Sequence, residues 1–134
     1  MKKYFVLLAF WASLQSAPIM AAADTNVIVE MAPFNINQGV SEAELLKASE
    51  ILQTEFLGKQ KGFIKRELLH EGERSYIDIV HWASKEDAQA ALKASEVCTP
   101  CAVFFGLMEM PDANNPNAGV QHLRPVQFWQ RLDK

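Results

Sequence analysis

The chain has 134 residues, 49% of them hydrophobic and 22% charged, with six Gly and six Pro. That is the make-up of one ordinary globular domain and excludes a disordered or fibrous chain. Thirteen Lys and Arg against sixteen Asp and Glu give a formal charge of −3, without the clustered cations that nucleic acid demands, so no nucleic-acid partner is expected. Two cysteines are too few for a disulfide scaffold, and the body of the chain has no apolar run long enough to be membrane-embedded.

Residues 1–23 read as a signal peptide rather than as part of the fold. Lys2 and Lys3 form a positive start, Tyr4 to Leu14 is an apolar stretch of the right length, and Ala21-Ala22-Ala23 offers small residues for cleavage before Asp24. Ser13, Gln15, Ser16 and Pro18 interrupt the run too early for an anchor helix. Cleavage leaves a single domain over 24–134, and the loss of Lys2 and Lys3 takes its formal charge from −3 to −5. A periplasmic or secreted location, oxidising to thiols, is the expectation.

Asn26 to Phe34 is expected to be the first strand, apolar on both faces and ended by Pro33. Ser41-Glu42-Ala43-Glu44 is a capping box, and Leu45, Ala48, Leu52 and Phe56 recur at helical spacing, so the first helix runs to about Leu57. Gly58 and Gly62 stop it. Phe63 to His70 and Ser75 to Trp82 read as antiparallel strands joined by a turn at Glu71-Gly72-Glu73-Arg74. Ser84-Lys85-Glu86-Asp87 caps a second, alanine-rich helix. Thr99-Pro100 reads as a cap and a first helical proline opening an apolar helix from Cys101 to Met108. After a loop of turn formers, Val120 to Trp129 is the last strand, and Pro125 places it at a sheet edge.

The order β-α-β-β-α-β with one extra helix predicts an α+β fold, a ferredoxin-like sandwich of antiparallel sheet with the helices on one face. Ile77 and Ile79 point opposite to Tyr76, Val80 and Trp82, so the other face is apolar too. A bare apolar face of that size predicts a homodimer packed sheet to sheet.

Trp82-Ala83-Ser84-Lys85-Glu86-Asp87-Ala88 resembles the W-x-S-x-E-x-A start of the second helix in the antibiotic biosynthesis monooxygenase-like proteins. Gly62-Phe63 is similar to the Gly-Phe that opens their second strand. The resemblance covers most of residues 26–128 and implies the dimeric α+β barrel superfamily, which includes cofactor-free oxygenases, haem-degrading enzymes and members of no assigned reaction. Active relatives commonly carry a histidine early in the second helix, where this chain has Ala90, Ala91 and Leu92; the tryptophan and ligand histidine of haem-degrading relatives have no counterpart between Ala88 and Phe105. What carries over is Trp82 and an asparagine near the first strand, Asn26, Asn35 or Asn37. No cofactor is implied.

Among single residues, Asp78 interrupts an apolar strand and needs a partner such as Arg66, or else a raised pKa. His70, His81 and His122 titrate near neutrality but stand singly, without metal-ligand spacing. Trp82, Asp78 and His81 are the candidate catalytic residues, and no metal site is expected. Cys98-Thr99-Pro100-Cys101 reads as a structural disulfide, a redox pair activated by a helix N-terminus, or half of a metal site with Met108, Met110 or a histidine. The expected function is binding of a small apolar or aromatic ligand in a cavity lined by Phe63, Tyr76, Trp82, Phe104 and Phe105. The alternatives are cofactor-independent oxygenation of an aromatic or quinone-like substrate there, and thiol-redox or metal handling at Cys98 and Cys101.

Overall fold

A computed structural model describes residues 26–115 and 118–127. The proposed signal peptide and the end of the expected last strand, Phe128 and Trp129, lie outside the described residues.

The elements follow as β1 (Ile28–Asn35), α1 (Glu42–Glu55), a 3-10 turn (Leu57–Lys59), β2 (Phe63–Gly72), β3 (Ser75–Trp82), α2 (Lys85–Ser95), α3 (Thr99–Gly106) and β4 (Gln121–Leu123). The strands form one sheet in the order β2-β3-β1-β4, each neighbouring pair antiparallel. This is the α+β, ferredoxin-like arrangement: the strands that each helix connects are separated by the strand inserted between them.

Local chemistry sets the boundaries. The capping box at Ser41 is complete, with the hydroxyl accepting from the Glu44 N–H while the Glu44 carboxylate accepts from the Ser41 N–H at 2.8 Å. Ser84 caps α2 in the same way through the Asp87 N–H. Helix α3 starts one residue earlier than expected, with Cys98 as its cap and Pro100 inside the first turn. It ends at Gly106, and Met108 is not helical but bridges to Ile36 beside β1. Of the expected last strand, Val120 to Trp129, the described residues pair with β1 over Gln121–Leu123, at the edge; Pro125 has no N–H to extend the ladder.

Glycine is needed at Gly62. Its φ is +75°, and a Cβ there would overlap the Asp87 carboxylate in the first turn of α2, while its carbonyl accepts from the Ala83 N–H at 2.7 Å. The two short sequence motifs, Gly62-Phe63 and Trp82 to Ala88, therefore meet in space.

Period-two alternation divides the sheet into two faces. In β3 the buried set is Tyr76, Asp78, Val80 and Trp82, and opposite them in β1 stand Phe34, Ala32, Glu30 and Ile28. This face meets the helices in a core of Leu45, Ala48 and Leu52 from α1, Ala88 and Ala91 from α2, and Cys101 and Phe104 from α3. The other face carries Val29, Met31, Ile77 and Ile79, with Leu69 and Leu123 more exposed. Among the described residues no helix is long and apolar enough to cross a membrane.

Candidate functional site

Between the helix-covered sheet face and the helices lies a cavity of about 330 Å³, within the size range of small-molecule sites. Its floor is sheet, with Glu30, Ala32 and Phe34 from β1 and Asp78, Val80 and Trp82 from β3. Its roof comes from Ala91 and Leu92 of α2 and Cys101, Phe104 and Phe105 of α3, and the segment from Met108 to Pro111 closes one side. The lining is mostly carbon. Leu92, Phe105 and Met110 line it and are also largely exposed, which puts them at the mouth.

Of the expected ligand-binding residues, Trp82, Phe104 and Phe105 line this cavity, whereas Phe63 and Tyr76 do not. Phe63 lies behind Trp82, packed edge to face with ring centroids 6.0 Å apart, on the wall of a shallower groove beside α1. A break in register between Phe63 and Lys65 turns the start of β2 away from the cavity. Tyr76 has the expected parity, but it sits at the hairpin end of β3, stacked between Phe34 and His70, with its hydroxyl donating to Glu42 at 3.0 Å. Trp82 is fully buried, and its indole N–H has no acceptor among the described residues.

The candidate catalytic residues part company. Asp78 is on the cavity floor, held by Arg66: the guanidinium Nε donates to one carboxylate oxygen at 2.8 Å and NH2 donates to the other at 2.7 Å. Arg66 also donates to the Ser49 carbonyl and lies over the Phe104 ring, 5.0 Å from its centroid. Both side chains are nearly buried, so the pair satisfies what would otherwise be an isolated charge under the cavity. His81 belongs to the opposite sheet face, paired with Val29 and Lys65, and so is not part of the cavity; burial, then the charge of Lys65, holds its pKa below the ordinary histidine range. Asn35 and Asn37 tie the chain after α3 to the end of β1: Asn35 accepts from Ser75 and from the Glu109 N–H, while Asn37 donates to Gly106. Neither they nor Asn26 line the cavity.

Cys98 and Cys101 are joined in a disulfide. Cys101 is fully buried on the cavity wall, and Cys98 Sγ accepts from the Cys101 N–H at 3.1 Å as the α3 cap. Sulfurs bonded to each other are not thiolate ligands, and no cluster of three or more metal-ligating side chains occurs among the described residues.

Two cavity carboxylates escaped the sequence reading. Glu109 follows α3 and pairs with Arg74, whose hydrogen bond draws the carboxyl below the ordinary range. Glu30 stands on β1, and its Oε2 lies 2.9 Å from Nε2 of His122 on β4. Burial raises its pKa above the ordinary carboxylate value; His122 pulls it back and the charge of Asp78 adds to the rise. Glu30 breaks an apolar strand just as Asp78 does, and that was the available signal.

Known structures share this architecture. SnoaB, a cofactor-independent oxygenase from Streptomyces nogalater, superposes with a TM-score of 0.55 at 17% identity, over 81% of this chain and 96% of that one. A Bordetella bronchiseptica protein named after the antibiotic biosynthesis monooxygenases does so at 0.61 and 16%, over 75% and 98% of the two chains. A conserved protein from Methanosarcina mazei Go1 reaches 0.59 at 11%, over 75% and 94%. The fold is that of the antibiotic biosynthesis monooxygenase-like proteins. No family model and no curated protein matches the chain. At these identities the likeness fixes the monooxygenase-like fold, and any activity has to be argued from the cavity itself.

Proposed function

We propose that the chain binds a small planar aromatic molecule in the cavity and oxygenates it with dioxygen, without a bound cofactor. The observation that carries this reading is the cavity: closed by two layers, lined by Phe34, Trp82, Phe104 and Phe105, and polar at only a few places on its floor. Aromatic walls take up a flat ring system and exclude water from it. An electron-rich aromatic ketone needs no flavin or metal here, because its own carbanion reduces oxygen: a ring methylene and one O2 become a ring carbonyl and one water. The shared fold with SnoaB supports the oxygenase use over simple storage.

The test is to incubate the metal-chelated protein in air with anthrone, following oxygen uptake, quinone absorbance and label from ¹⁸O2 in the new carbonyl, with thermal shift for binding. Catalysed uptake with label incorporation is expected. Binding without turnover would reduce the function to ligand binding, and no shift with anthrone or related quinones would end the proposal.

Two further proposals concern the whole protein. The apolar outer sheet face is covered by the same face of a second copy, and the protein is exported with cleavage before Asp24. Light scattering of the purified protein checks the first. Intact mass of the periplasmic or secreted product checks the second, and retention of Met1 to Ala23 would overturn it.

A further inference from the structure

Three carboxylates line the cavity, and their partners differ in kind. Asp78 is clamped by Arg66 and Glu109 is paired with Arg74. A guanidinium holds its charge throughout the working pH range, so the oxygens of these two carboxylates stay engaged. Glu30 is bound instead to the imidazole of His122, a ring that can both accept and donate a proton. It is also the most enclosed of the contact: its side chain is less exposed than that of His122, which reaches solvent along the edge strand. A carboxylate with one side toward an apolar cavity and the other toward a proton carrier that touches water is laid out to move protons between the two.

We propose that Glu30 is the general base of this site and that His122 is its proton exit. The inference rests on the cavity being the substrate site. The substrate C–H bond breaks, its proton goes to the Glu30 carboxylate, and the electron pair is left delocalised in the aromatic enolate. From the carboxyl the proton crosses the 2.9 Å contact to Nε2 of His122 in its Nδ1–H tautomer, and the ring gives its Nδ1 proton to water. The charged groups bearing on Glu30 are His122 from β4 and Asp78 from β3, the latter paired with Arg66 of β2, while Glu109, paired with Arg74, lines the same cavity. Burial lifts the basicity of Glu30 toward the working pH, which a general base requires.

The test separates proton transfer from oxygen chemistry. Anthrone is held without oxygen in D2O with the whole protein, and deuterium entry at its methylene is followed by mass spectrometry, with binding measured in parallel by thermal shift. The wild type should accelerate exchange. Glu30→Gln should bind anthrone as well as the wild type and lose exchange by about a hundredfold or more, the usual share of general base catalysis. His122→Gln should slow exchange about tenfold and be rescued by added imidazole buffer, which a merely structural role would not produce. Unchanged exchange in Glu30→Gln, or a wild type that binds and does not exchange, would overturn the role of Glu30 while leaving the cavity as a binding site. Absence of binding by the wild type would overturn both.

Discussion

The two faces of the sheet differ in where their charges go. On the covered face the strands carry Glu30, Asp78, Arg66 and His122 among their aromatic neighbours, while the face without helices carries Val29, Met31, Ile77, Ile79 and Leu123 beside Lys65, Glu67 and His81. In a protein organised only for stability as a monomer the ionisable groups would point to water, since desolvating a charge costs more than an ion pair returns. The inner charges fit the proposed site, and the outer isoleucines fit the proposed second copy. Neighbours in sequence such as Asp78 and Ile79 thus answer to different demands.

The largest effect is expected inside. Arg66→Met leaves Asp78 buried without its cation and should cost about 3–5 kcal/mol, measured by urea denaturation. Adding Asp78→Leu should recover most of that loss, because removing both charges also removes the desolvation cost. If the double variant is as unstable as the single one, packing of Arg66 between Phe104 and α1 matters more than its charge, and the contrast between the faces is one of shape.

On the outer face the sensitive quantity is association. Ile79→Lys should leave the monomer fold nearly unchanged but weaken the proposed dimer at least about a hundredfold, roughly 3 kcal/mol, because an isologous interface repeats the lysine on both copies. Light scattering and denaturation together check this. A wild type that scatters as a monomer would remove the dimer and leave the outer isoleucines unexplained.

How much of this was legible in the sequence follows from how local each signal is. The caps at Ser41 and Ser84 and the β2–β3 hairpin depend on residues a few positions apart, and they stand where the residues place them. The pairing of Asp78 with Arg66 spans one hairpin and was within reach. Glu30 and His122 are 92 positions apart and meet only because β4 returns to the free edge of β1, a pairing that no local pattern announces. Tyr76 and Phe63 show the limit of parity: the alternation gives the face, while position along the strand and a break in register decide whether a ring reaches the cavity. The Cys98 cap was displaced by one residue in the reading because a sulfur acceptor is not among the usual capping groups.

The disulfide at the start of α3 puts Cys101 in the roof of the cavity, which allows a comparison of roof with floor. Cys98→Ser keeps a capping side chain, so combining it with Cys101→Ala removes little more than the cross-link. By the loop-length relation the loss should be about 2 kcal/mol, less than that of the buried ion pair under the floor. After mild reduction of the wild type, the half-buried Cys98 should be alkylated well before the fully buried Cys101. Equal alkylation rates would show that α3 opens as a whole once the bond is cut.

The smallest expected effect is a change of pH dependence. Burial raises the pKa of Glu30 in the folded protein, so the folded state binds this proton more tightly than the unfolded chain does. Stability owed to Glu30 is then fully present below the unfolded value, about 4.3, and declines as pH rises through the folded value. Carboxylates drawn the other way, such as Glu109 beside Arg74, contribute the opposite slope, so the observable is the difference between Glu30→Gln and the wild type rather than either curve alone. Glutamine keeps the shape and cannot ionise. The variant should therefore gain on the wild type as pH increases from about 4.3 toward neutrality, and the gain from Glu30→Gln should be larger in a His122→Gln background, where the partner that pulls the Glu30 pKa back is gone. Urea denaturation at a series of pH values measures it. A variant that instead loses ground with rising pH would mean that the contact with His122 outweighs burial, which removes the physical basis for the role of Glu30 as a base.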